Sequence, residues 1–363
     1  MPDTAQLQTF TAGVETAVDV AQIERQLHEL WQLAAESEKD PSRRQITRAC
    51  LFNFIVYCET DEEAAHASEV ISALTSHHPC RAIVLLAKPE VTSAELSASI
   101  SAHCHLAGTG QKQVCCEQIA IHASGPGVAH LGAAVLPLLE SDLPTVIWWQ
   151  GDFLKRTDLF RRLVAVADRV IYDTSTWIDP QSQLAPLARR IAEHPRCNFV
   201  DLSWTRLGLW RRLAANFFDE PNCRTELARI RAVDIVHGGG PGASLRALLF
   251  GSWIAAQLNW PVAEAREKIH LSAREDRDAT SVGILSITIK TDDATFSIRK
   301  NFGESTASAT IDMSNPCGPP RTRAFWPADD TSLLSQELDL VTRHTVYEKS
   351  LAVAVALLED VSR

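Results

Sequence analysis

The sequence lacks the features that would direct a chain to a membrane, a secretory route or a nucleic acid. No stretch approaches the roughly 20 apolar residues that span a bilayer, and residues 1–11 have neither a basic start nor the apolar centre of a signal peptide. The formal charge of -10 is spread along the chain, which argues against DNA, RNA or an anionic membrane surface as the partner. We therefore expect a cytoplasmic protein that binds another protein or a small molecule.

Motifs for metal binding are also missing. The nine cysteines are too scattered for a secreted disulfide framework, so mostly buried, reduced thiols are expected. Neither CxxC nor HExxH occurs, although histidines and cysteines are dense between His77 and His130. Because structural zinc needs four converging ligands, usually supplied as closely spaced pairs, the sequence predicts no bound metal. It gives no sign of another cofactor.

Local motifs of nucleophilic and nucleotide chemistry are absent as well. There is no GxSxG elbow, and no lysine follows the glycines of His237-Gly-Gly-Gly-Pro-Gly-Ala243 as a Walker motif requires. We interpret this glycine-rich segment as a flexible connection between a strand and a helix. A phosphate-binding loop is the alternative, because backbone amides at a helix start bind anions. The missing catalytic set favours a binding or regulatory protein.

The apolar pattern predicts two domains in the 363 residues. In residues 1–225, buried-type strands alternate with helices, which is typical of an α/β domain with a mainly parallel sheet flanked by helices. Residues 226–363 indicate a smaller α+β domain with an antiparallel meander and a C-terminal helix. The predicted strands are 51–57, 82–86, 114–122, 143–148, 169–172, 198–202, 230–236, 282–290, 294–300 and 307–313, and the predicted helices are 20–34, 61–75, 128–139, 159–166, 184–191, 243–258 and 332–358.

The segment from Leu143 to Asp152 is the most unusual in the chain, because two adjacent tryptophans end a predicted strand. Ligands of open α/β sheets bind beyond the carboxyl ends of strands, so we expect Trp148, Trp149, Gln150 and Asp152 to bind a sugar or a partner's side chain. The alternative is that each indole fills the layer between sheet and helices, since adjacent strand residues point to opposite faces. These four residues and Arg81 are the partner-binding candidates.

Cys115 and Cys116 are adjacent on a predicted strand and are therefore expected on opposite faces. Neighbouring cysteines bond to each other only with strain, so an exposed one would pair with a distant thiol such as Cys80 or Cys104, or carry a reversible adduct. We predict that oxidation modulates the protein through one of the two. The alternative is that both are small core residues.

A set of segments in fixed order carries a family resemblance: Arg48 to Val56, His78 to Val84, Cys116 to Ile121 with His130, Pro137 to Asp152, Ala167 to Asp173, Asp201 to Leu207, and Gly251 to Ala256 with Leu258 to Trp260. Together these segments resemble the glucose-6-phosphate dehydrogenase assembly protein family, called OpcA. The resemblance covers residues 15–261 well and the remainder more loosely.

The resemblance implies a two-domain, non-catalytic assembly factor or activator whose partner is glucose-6-phosphate dehydrogenase, the enzyme that opens the oxidative pentose phosphate pathway. An activator must bind the active state of its partner better than the inactive one. Some family members are described as redox-responsive through cysteines, which makes thioredoxin a further candidate partner. The competing hypothesis is an α/β enzyme or sensor that binds a sugar phosphate or nucleotide through Trp148, Trp149, Asp152 and Arg81.

Overall fold

The structure, a computed structural model, describes residues 7–17, 19–37, 46–48, 50–106, 113–219, 221–274, 283–301, 306–313, 321–324, 329–340 and 342–359. The strands are β1 (Leu7–Ala17), β2 (Ile46–Arg48), β3 (Asn53–Cys58), β4 (Arg81–Lys88), β5 (Glu95–Leu106), β6 (Gln113–Ser124), β7 (Thr145–Trp149), β8 (Arg169–Tyr172), β9 (Asn198–Asp201), β10 (Ala232–His237), β11 (Ile269–Ala273), β12 (Ile284–Lys290), β13 (Ala294–Asn301), β14 (Thr306–Met313) and β15 (Arg321–Ala324).

The helices are α1 (Val20–Ser37), α2 (Asp61–Leu74), α3 (Leu131–Val135), α4 (Thr157–Val164), α5 (Leu184–Glu193), α6 (Leu202–Thr205), α7 (Gly208–Phe217), α8 (Pro221–Arg224), α9 (Ala243–Leu258), α10 (Val262–Lys268), α11 (Asp330–Asp339) and α12 (Thr345–Glu359). Within the described parts of the chain, no helix is both long and apolar enough to cross a bilayer.

The chain forms two compact units, each built from more than one stretch of sequence. Unit 1 comprises Met1–Tyr172, His194–Phe199 and Asp330–Val341, and unit 2 comprises Asp173–Glu193, Val200–Asp329 and Thr342–Arg363. These units are defined by compactness. The predicted division into two domains, residues 1–225 and 226–363, stays a prediction.

The larger sheet has the strand order β1-β5-β6-β4-β3-β7-β8-β9, with β2 paired to β6. The pairs β3/β4, β3/β7, β4/β6 and β7/β8 are parallel. Six strands form the core of this sheet in the order β6-β4-β3-β7-β8-β9. If they are renumbered 1 to 6 along the chain, this order is 3-2-1-4-5-6, which is the doubly wound arrangement. The order reverses between β3 and β7, and the crevice at the carboxyl ends of these strands is where doubly wound folds bind ligands.

The central strands of this sheet are unbroken apolar runs because both of their faces are covered. All six residues of β3 are buried, and seven of the eight residues of β4 are buried. The helix that follows β3 starts at a capping box, in which Thr60 and Glu63 satisfy each other's backbone amides. Burial and capping together fix where β3 ends and α2 begins.

The second sheet, in unit 2, has the order β11-β10-β12-β13-β14-β15. β10 is parallel to β11, and each later neighbour is antiparallel. Buried and partly exposed residues alternate along β12 and β13, so that Ile287 and Ile298 face the core of the unit. The apolar helix α9 contacts both β10 and α12.

The predicted fold class is confirmed: a mainly parallel, helix-flanked sheet is followed by an α+β part with an antiparallel meander and a C-terminal helix. Two predicted helices differ in detail. The region 128–139 contains the short α3 between two 3₁₀ turns that each begin with a proline-containing segment. The predicted helix 332–358 is two helices, because α11 ends at Asp339 and α12 starts at Thr345.

Candidate functional site

The adjacent tryptophans end β7, and their rings lie inside unit 1. Trp148 is 3% exposed and Trp149 is 1% exposed. The Trp149 ring stacks on Tyr57 with a centroid distance of 3.9 Å, and the Trp148 ring is parallel to Phe54 at 6.4 Å. Among the described residues the Trp149 indole nitrogen has no hydrogen-bond partner. Both rings therefore contribute to packing within this unit.

The polar residues that follow the tryptophans are held by the chain itself. Gln150 Nε2 donates to Cys58 Sγ at 3.4 Å and to the Glu63 carbonyl oxygen at 3.3 Å. The Asp152 carboxylate accepts a hydrogen bond from the Leu154 amide at 3.0 Å and caps a short 3₁₀ turn. Its side chain is only 6% exposed. Burial raises the pKa of Asp152, because the charged form is poorly solvated there.

The start of α2 occupies the corner at which doubly wound folds bind phosphate. The connection from β3 to α2 contains no glycine, and the first turn of the helix carries Asp61, Glu62 and Glu63. The Glu63 carboxylate accepts from the amides of Glu59 and Thr60 at 2.7 and 3.2 Å. Thr60 Oγ1 accepts from the Glu63 amide at 3.1 Å. The chain's own oxygens thus occupy amides that a phosphate would use.

We call residues 58–63 together with Gln150 the closed corner. An ion pair borders it: Arg156 Nε donates to the Glu59 carboxylate at 2.8 Å, and the Tyr57 hydroxyl donates to the same oxygen at 3.0 Å. The hydrogen bond to Glu59 raises the pKa of Arg156. Lys155, whose side chain is 59% exposed, has its ammonium nitrogen 3.8 Å from Asp152 Oδ2. The surface next to the predicted segment, formed by Glu59, Lys155 and Arg156, therefore carries charges of both signs.

Arg81 lies at the opposite end of the parallel sheet from Asp152. Arg81 and Asn53 are register partners at the amino ends of β4 and β3, whereas Trp149 pairs with Tyr57 at the carboxyl ends. Four residues along a strand separate these ends by roughly 13 Å. The structure therefore does not bring Arg81 to the tryptophan segment.

The Arg81 guanidinium is buried among carboxylates. It donates to the Glu117 carboxylate, which is itself 3% exposed, and its terminal nitrogens lie 3.1 Å from Glu24 Oε1 and 2.9 Å from Glu140 Oε1. Trp31 Nε1 donates to the second Glu117 oxygen at 3.2 Å. Although burial opposes it, the Glu117 charge raises the pKa of Arg81. This arrangement neutralises a charge that would otherwise be costly to bury.

The two candidate redox cysteines are both buried on β6. Cys115 is disulfide-bonded, and its backbone lies opposite Cys104 in the antiparallel pair of β5 and β6. Cys116 is a free thiol 2.8 Å from Thr75 Oγ1. The hydrogen bond with Cys116, together with burial, holds the pKa of Cys80 well above its usual value. The hydrogen bond with Cys80 lowers the pKa of Cys116 although burial opposes the shift, so thiolate character in this buried pair belongs to Cys116.

Unit 2 contains a buried polar cluster that sequence reasoning did not single out. Asp201, fully buried at the end of β9, accepts from Thr174 Oγ1 at 2.6 Å and from the Ser203 amide at 2.9 Å. The Ser203 hydroxyl donates to Asp173 Oδ1 at 3.0 Å, so it connects the two carboxylates. Burial, and then the charge of Asp173, raise the pKa of Asp201 to about 7.

Two arginines lie beside this carboxylate pair. Arg206 pairs with the Asp173 carboxylate, and this charge lowers the pKa of Asp173 although burial opposes the shift. Burial and the charge of Arg206 lower the pKa of Arg246, which donates to the Pro241 carbonyl oxygen at 3.1 Å. The sequence signal for the cluster is the Asp-x-Ser pattern, which starts at Asp173 directly after β8 and at Asp201, the last residue of β9.

The glycine-rich segment lies between β10 and α9, as predicted, and packs closely. Gly242 has a φ of +66°, and a Cβ there would lie 2.6 Å from the Ser175 Cβ. Glycine is therefore needed for conformation and for space. Among the residues that the structure describes, no three His, Cys, Asp or Glu side chains are grouped as a metal ion would require.

Residues 49–189 match the family model described as the glucose-6-phosphate dehydrogenase subunit N-terminal domain, and residues 197–351 match that of the C-terminal domain. A Synechocystis protein named OxPP cycle protein OpcA is 30% identical over 194 residues, which cover 53% of this chain and 40% of the relative. The Nostoc punctiforme protein of the same name is 30% identical over 223 residues, which cover 57% of this chain and 46% of the relative. The chain thus spans less than half the length of these two relatives.

An NAD-binding oxidoreductase from Klebsiella pneumoniae superposes on 86% of this chain and 96% of its own, with 10% identity and a TM-score of 0.46. A likeness at that level says nothing about chemistry. The two family models, by contrast, match consecutive parts of the sequence in the expected order and together cover most of the chain. The chain belongs to the OpcA family of glucose-6-phosphate dehydrogenase assembly proteins.

Proposed function

We propose that this protein is a non-catalytic assembly factor or allosteric activator of glucose-6-phosphate dehydrogenase in the oxidative pentose phosphate pathway. The observation that carries the proposal is the closed corner. A doubly wound sheet offers its dinucleotide site where the strand order reverses, and here that place is filled by Glu63, Thr60 and Gln150. The protein keeps the scaffold of a nucleotide-binding fold without an open phosphate site at this corner.

Electrostatics supports the same conclusion. The phosphate-binding form of this turn uses glycines for close approach of the backbone and leaves helix amides free. In this chain the turn carries Glu59, Asp61, Glu62 and Glu63. A pyrophosphate placed there would meet like charges and amides that are already hydrogen-bonded, both of which oppose binding. An enzyme using a nicotinamide cofactor at this corner is therefore disfavoured.

The partner is proposed from the family. Its two models are described as parts of a glucose-6-phosphate dehydrogenase subunit, and the relatives carry a name that refers to the same pathway. Since the chain covers less than half of the two relatives that are 30% identical, the function of the whole relative is carried over here only as a proposal.

Purified cognate glucose-6-phosphate dehydrogenase, assayed with and without this chain, tests the proposal. The chain alone should form no NADPH from glucose 6-phosphate and NADP⁺. Added to the enzyme, it should lower KM, raise kcat, or shift the oligomer size measured by light scattering. A changed KM at constant size indicates allostery, and a changed size indicates assembly. Unchanged kinetics together with unchanged size would contradict the proposal.

The proposed docking surface lies where the segment from Trp148 to Asp152 meets the closed corner. The exposed residues at this border would contact the partner. Lys155 is the accessible charge of that border, so Lys155→Glu should weaken activation of the dehydrogenase. Lys349→Glu is the matched control, since Lys349 is also exposed and lies on α12 in unit 2. Equal effects of the two changes would mean that docking does not use this border.

Redox control through Cys115 and Cys116 is the remaining part of the proposal. The dithiol of thioredoxin would pass two electrons to the disulfide of Cys115, leaving two protein thiols and oxidised thioredoxin. Because Cys115 is buried, exchange requires local opening of β6. After thioredoxin treatment, mass-spectrometric thiol labelling should detect Cys115 as a newly labelled thiol, while Cys116 stays unlabelled. Activation of the dehydrogenase should change in parallel. Labelling of Cys115 that appears only in denaturant would oppose this mechanism.

A further inference from the structure

The second sheet, in unit 2, ends at β11, and this strand is an open edge. β11 pairs with one strand of the sheet, the parallel β10. Its first residue, Ile269, is half-buried and the four that follow are exposed. Leu271, in the middle of the strand, is 39% exposed. An exposed strand edge is a template on which another strand can pair.

The register of β11 shows which backbone groups point away from β10. The Arg274 amide donates to the His237 carbonyl oxygen at 2.8 Å, so the backbone of Arg274 is turned towards β10. Because these directions alternate along a strand, Ser272 is turned the same way, whereas Leu271 and Ala273 point outward. Among the described residues, no hydrogen bond satisfies the outward amides of Leu271 and Ala273.

The side chains of β11 are divided between the two faces of the sheet. Ile269 lies against α9, since a Cβ at Gly251 would be 2.7 Å from the Ile269 Cγ2 atom. Leu271 is two residues further along and therefore points to the same face. His270 is on the other face, where its Nδ1 lies 2.9 Å from Asp234 Oδ1. The strand itself, Ile-His-Leu-Ser-Ala, contains no lysine, arginine or acidic residue.

The opposite edge of the same sheet is built differently. β15 carries the exposed Arg323. In an antiparallel pair around a two-fold axis at Arg323, two arginines would lie opposite each other, and like charges in that position destabilise strand pairing. Charged residues on edge strands are a common protection against pairing with another chain. β11 lacks this protection.

The edge of β11 is complementary to itself. Around a two-fold axis at Leu271, the Leu271 residues of two antiparallel copies lie opposite each other and exchange both of their backbone hydrogen bonds. The Ala273 amide of each copy meets the outward carbonyl oxygen of Ile269 in the other. The Ile269 amide is not needed for this pairing, since it already donates to the Ala265 carbonyl oxygen.

Charges do not oppose this arrangement. His270 of one copy lies opposite Ser272 of the other, so no like charges are paired within the strands. Just outside them, Lys268 of one copy would be nearest Arg274 of the other. Lys268 ends the helix α10 and is already paired with Glu264 at 2.7 Å, which reduces the repulsion.

We propose that β11 pairs antiparallel with β11 of a second copy of this chain, around a two-fold axis at Leu271. The contact joins the two sheets into one and covers both leucines. It is small beside the roughly 800 Å² per partner of a standard interface, so we expect a dissociation constant of roughly 10–100 µM. The proposal does not rest on the proposed function, because association can be measured on this chain alone.

Light scattering and sedimentation of the full chain, from roughly 5 to 500 µM, measure this association. The wild type should pass from monomer to dimer. Leu271→Pro removes an outward amide and leaves the bonds to β10 in place, so it should abolish the dimer. Leu271→Lys places two cations opposite each other and should weaken dimerisation roughly tenfold or more. Thr322→Lys, which adds the same charge at an exposed position of β15, is the matched control and should leave the dimer unchanged.

Hydrogen exchange locates the contact. Exchange in residues 269–274 should slow as the wild-type concentration rises, and it should not do so in Leu271→Pro. A wild type that stays monomeric at roughly 500 µM would overturn the proposal. So would a dimer that both Leu271 variants retain, or one that forms without slower exchange in β11, because either result places the contact elsewhere. Circular dichroism of each variant shows that the fold is retained before the dimers are compared.

Discussion

Each unit buries charged side chains, but the surroundings of Arg81 in unit 1 and of Asp201 in unit 2 differ. In unit 1 the Arg81 guanidinium meets Glu117, Glu24 and Glu140, and the start of α2 is capped by the chain's own carboxylate. In unit 2 the buried carboxylates Asp173 and Asp201 lie close together; Arg206 pairs with Asp173, whereas Asp201 accepts hydrogen bonds from Thr174 and Ser203 and has a raised pKa. A buried arginine surrounded by carboxylates is neutralised and stays charged, whereas a buried carboxylate beside a second carboxylate has a pKa near neutral pH.

The largest expected effect on stability comes from replacing Arg81, the neutralised arginine of unit 1. Arg81→Met leaves the buried Glu117 carboxylate without its cation, and the free energy of unfolding should fall by about 3–5 kcal/mol. Urea denaturation measures this change. In the double variant Arg81→Met/Glu117→Met most of the stability should return, because no buried charge remains unpaired. A double variant as unstable as the single one would show that the pair is not mutually compensated.

Urea denaturation of a variant at an exposed arginine of unit 2 gives the contrast with buried Arg81. Arg299→Gln removes an exposed arginine that has no described ion-pair partner, so the free energy of unfolding should change by less than about 0.5 kcal/mol. A loss comparable to that of Arg81→Met would erase the distinction between the two units.

The pH dependence of the free energy of unfolding tests the buried carboxylate Asp201 of unit 2. The folded-state pKa of Asp201, about 7, lies above its usual value, so its contribution to stability is complete at low pH and is lost as pH rises through 7. From pH 6 to pH 8 the free energy of unfolding should fall by about 1.4 kcal/mol more in the wild type than in Asp201→Asn. Urea denaturation at both pH values checks it, and parallel pH profiles would mean that Asp201 stays ionised.

A stability effect smaller than that of Asp201 concerns the cap beside the closed corner. Asp152→Ala removes the acceptor of the Leu154 amide and should cost about 1 kcal/mol. Asp152→Asn keeps an oxygen that can cap the turn and should leave stability nearly unchanged. If Asp152→Asn nonetheless weakens activation of the dehydrogenase, its charge contacts the partner. If only Asp152→Ala has an effect, the residue acts as a cap alone.

Strong local patterns predicted much of the fold. The strand 169–172 and the helix 243–258 were predicted with the bounds that the structure has, because each is an apolar run of the right length between polar or glycine residues. β1 and β5 were not predicted. Serines and alanines alternate along much of β5, which is a weak strand signal, and its pairing with β6 and β1 decides its structure.

The charge clusters were beyond sequence reasoning, because their members meet only in the folded chain. Asp201 is joined by Thr174 from one connection and by the Tyr347 hydroxyl, at 3.4 Å, from α12. Arg81 and Glu117 are register partners on the neighbouring strands β4 and β6, and this pairing depends on the strand order of the sheet. The resemblance to the family supplied the partner hypothesis, while the closed corner became visible only once β3 was placed at the reversal of the sheet.

Titration of the chain with NADP⁺ and NADPH, followed by calorimetry and by nucleotide fluorescence, tests the central claim most directly. The wild type should bind neither nucleotide at roughly 1 mM, because the Glu59, Thr60 and Glu63 amides are already hydrogen-bonded and the first turn of α2 is acidic. The double variant Glu63→Ala/Gln150→Ala is the control that opens the corner. Micromolar binding of either nucleotide by the wild type, abolished by Glu59→Arg/Thr60→Trp at the same corner, would contradict the account of a non-catalytic partner.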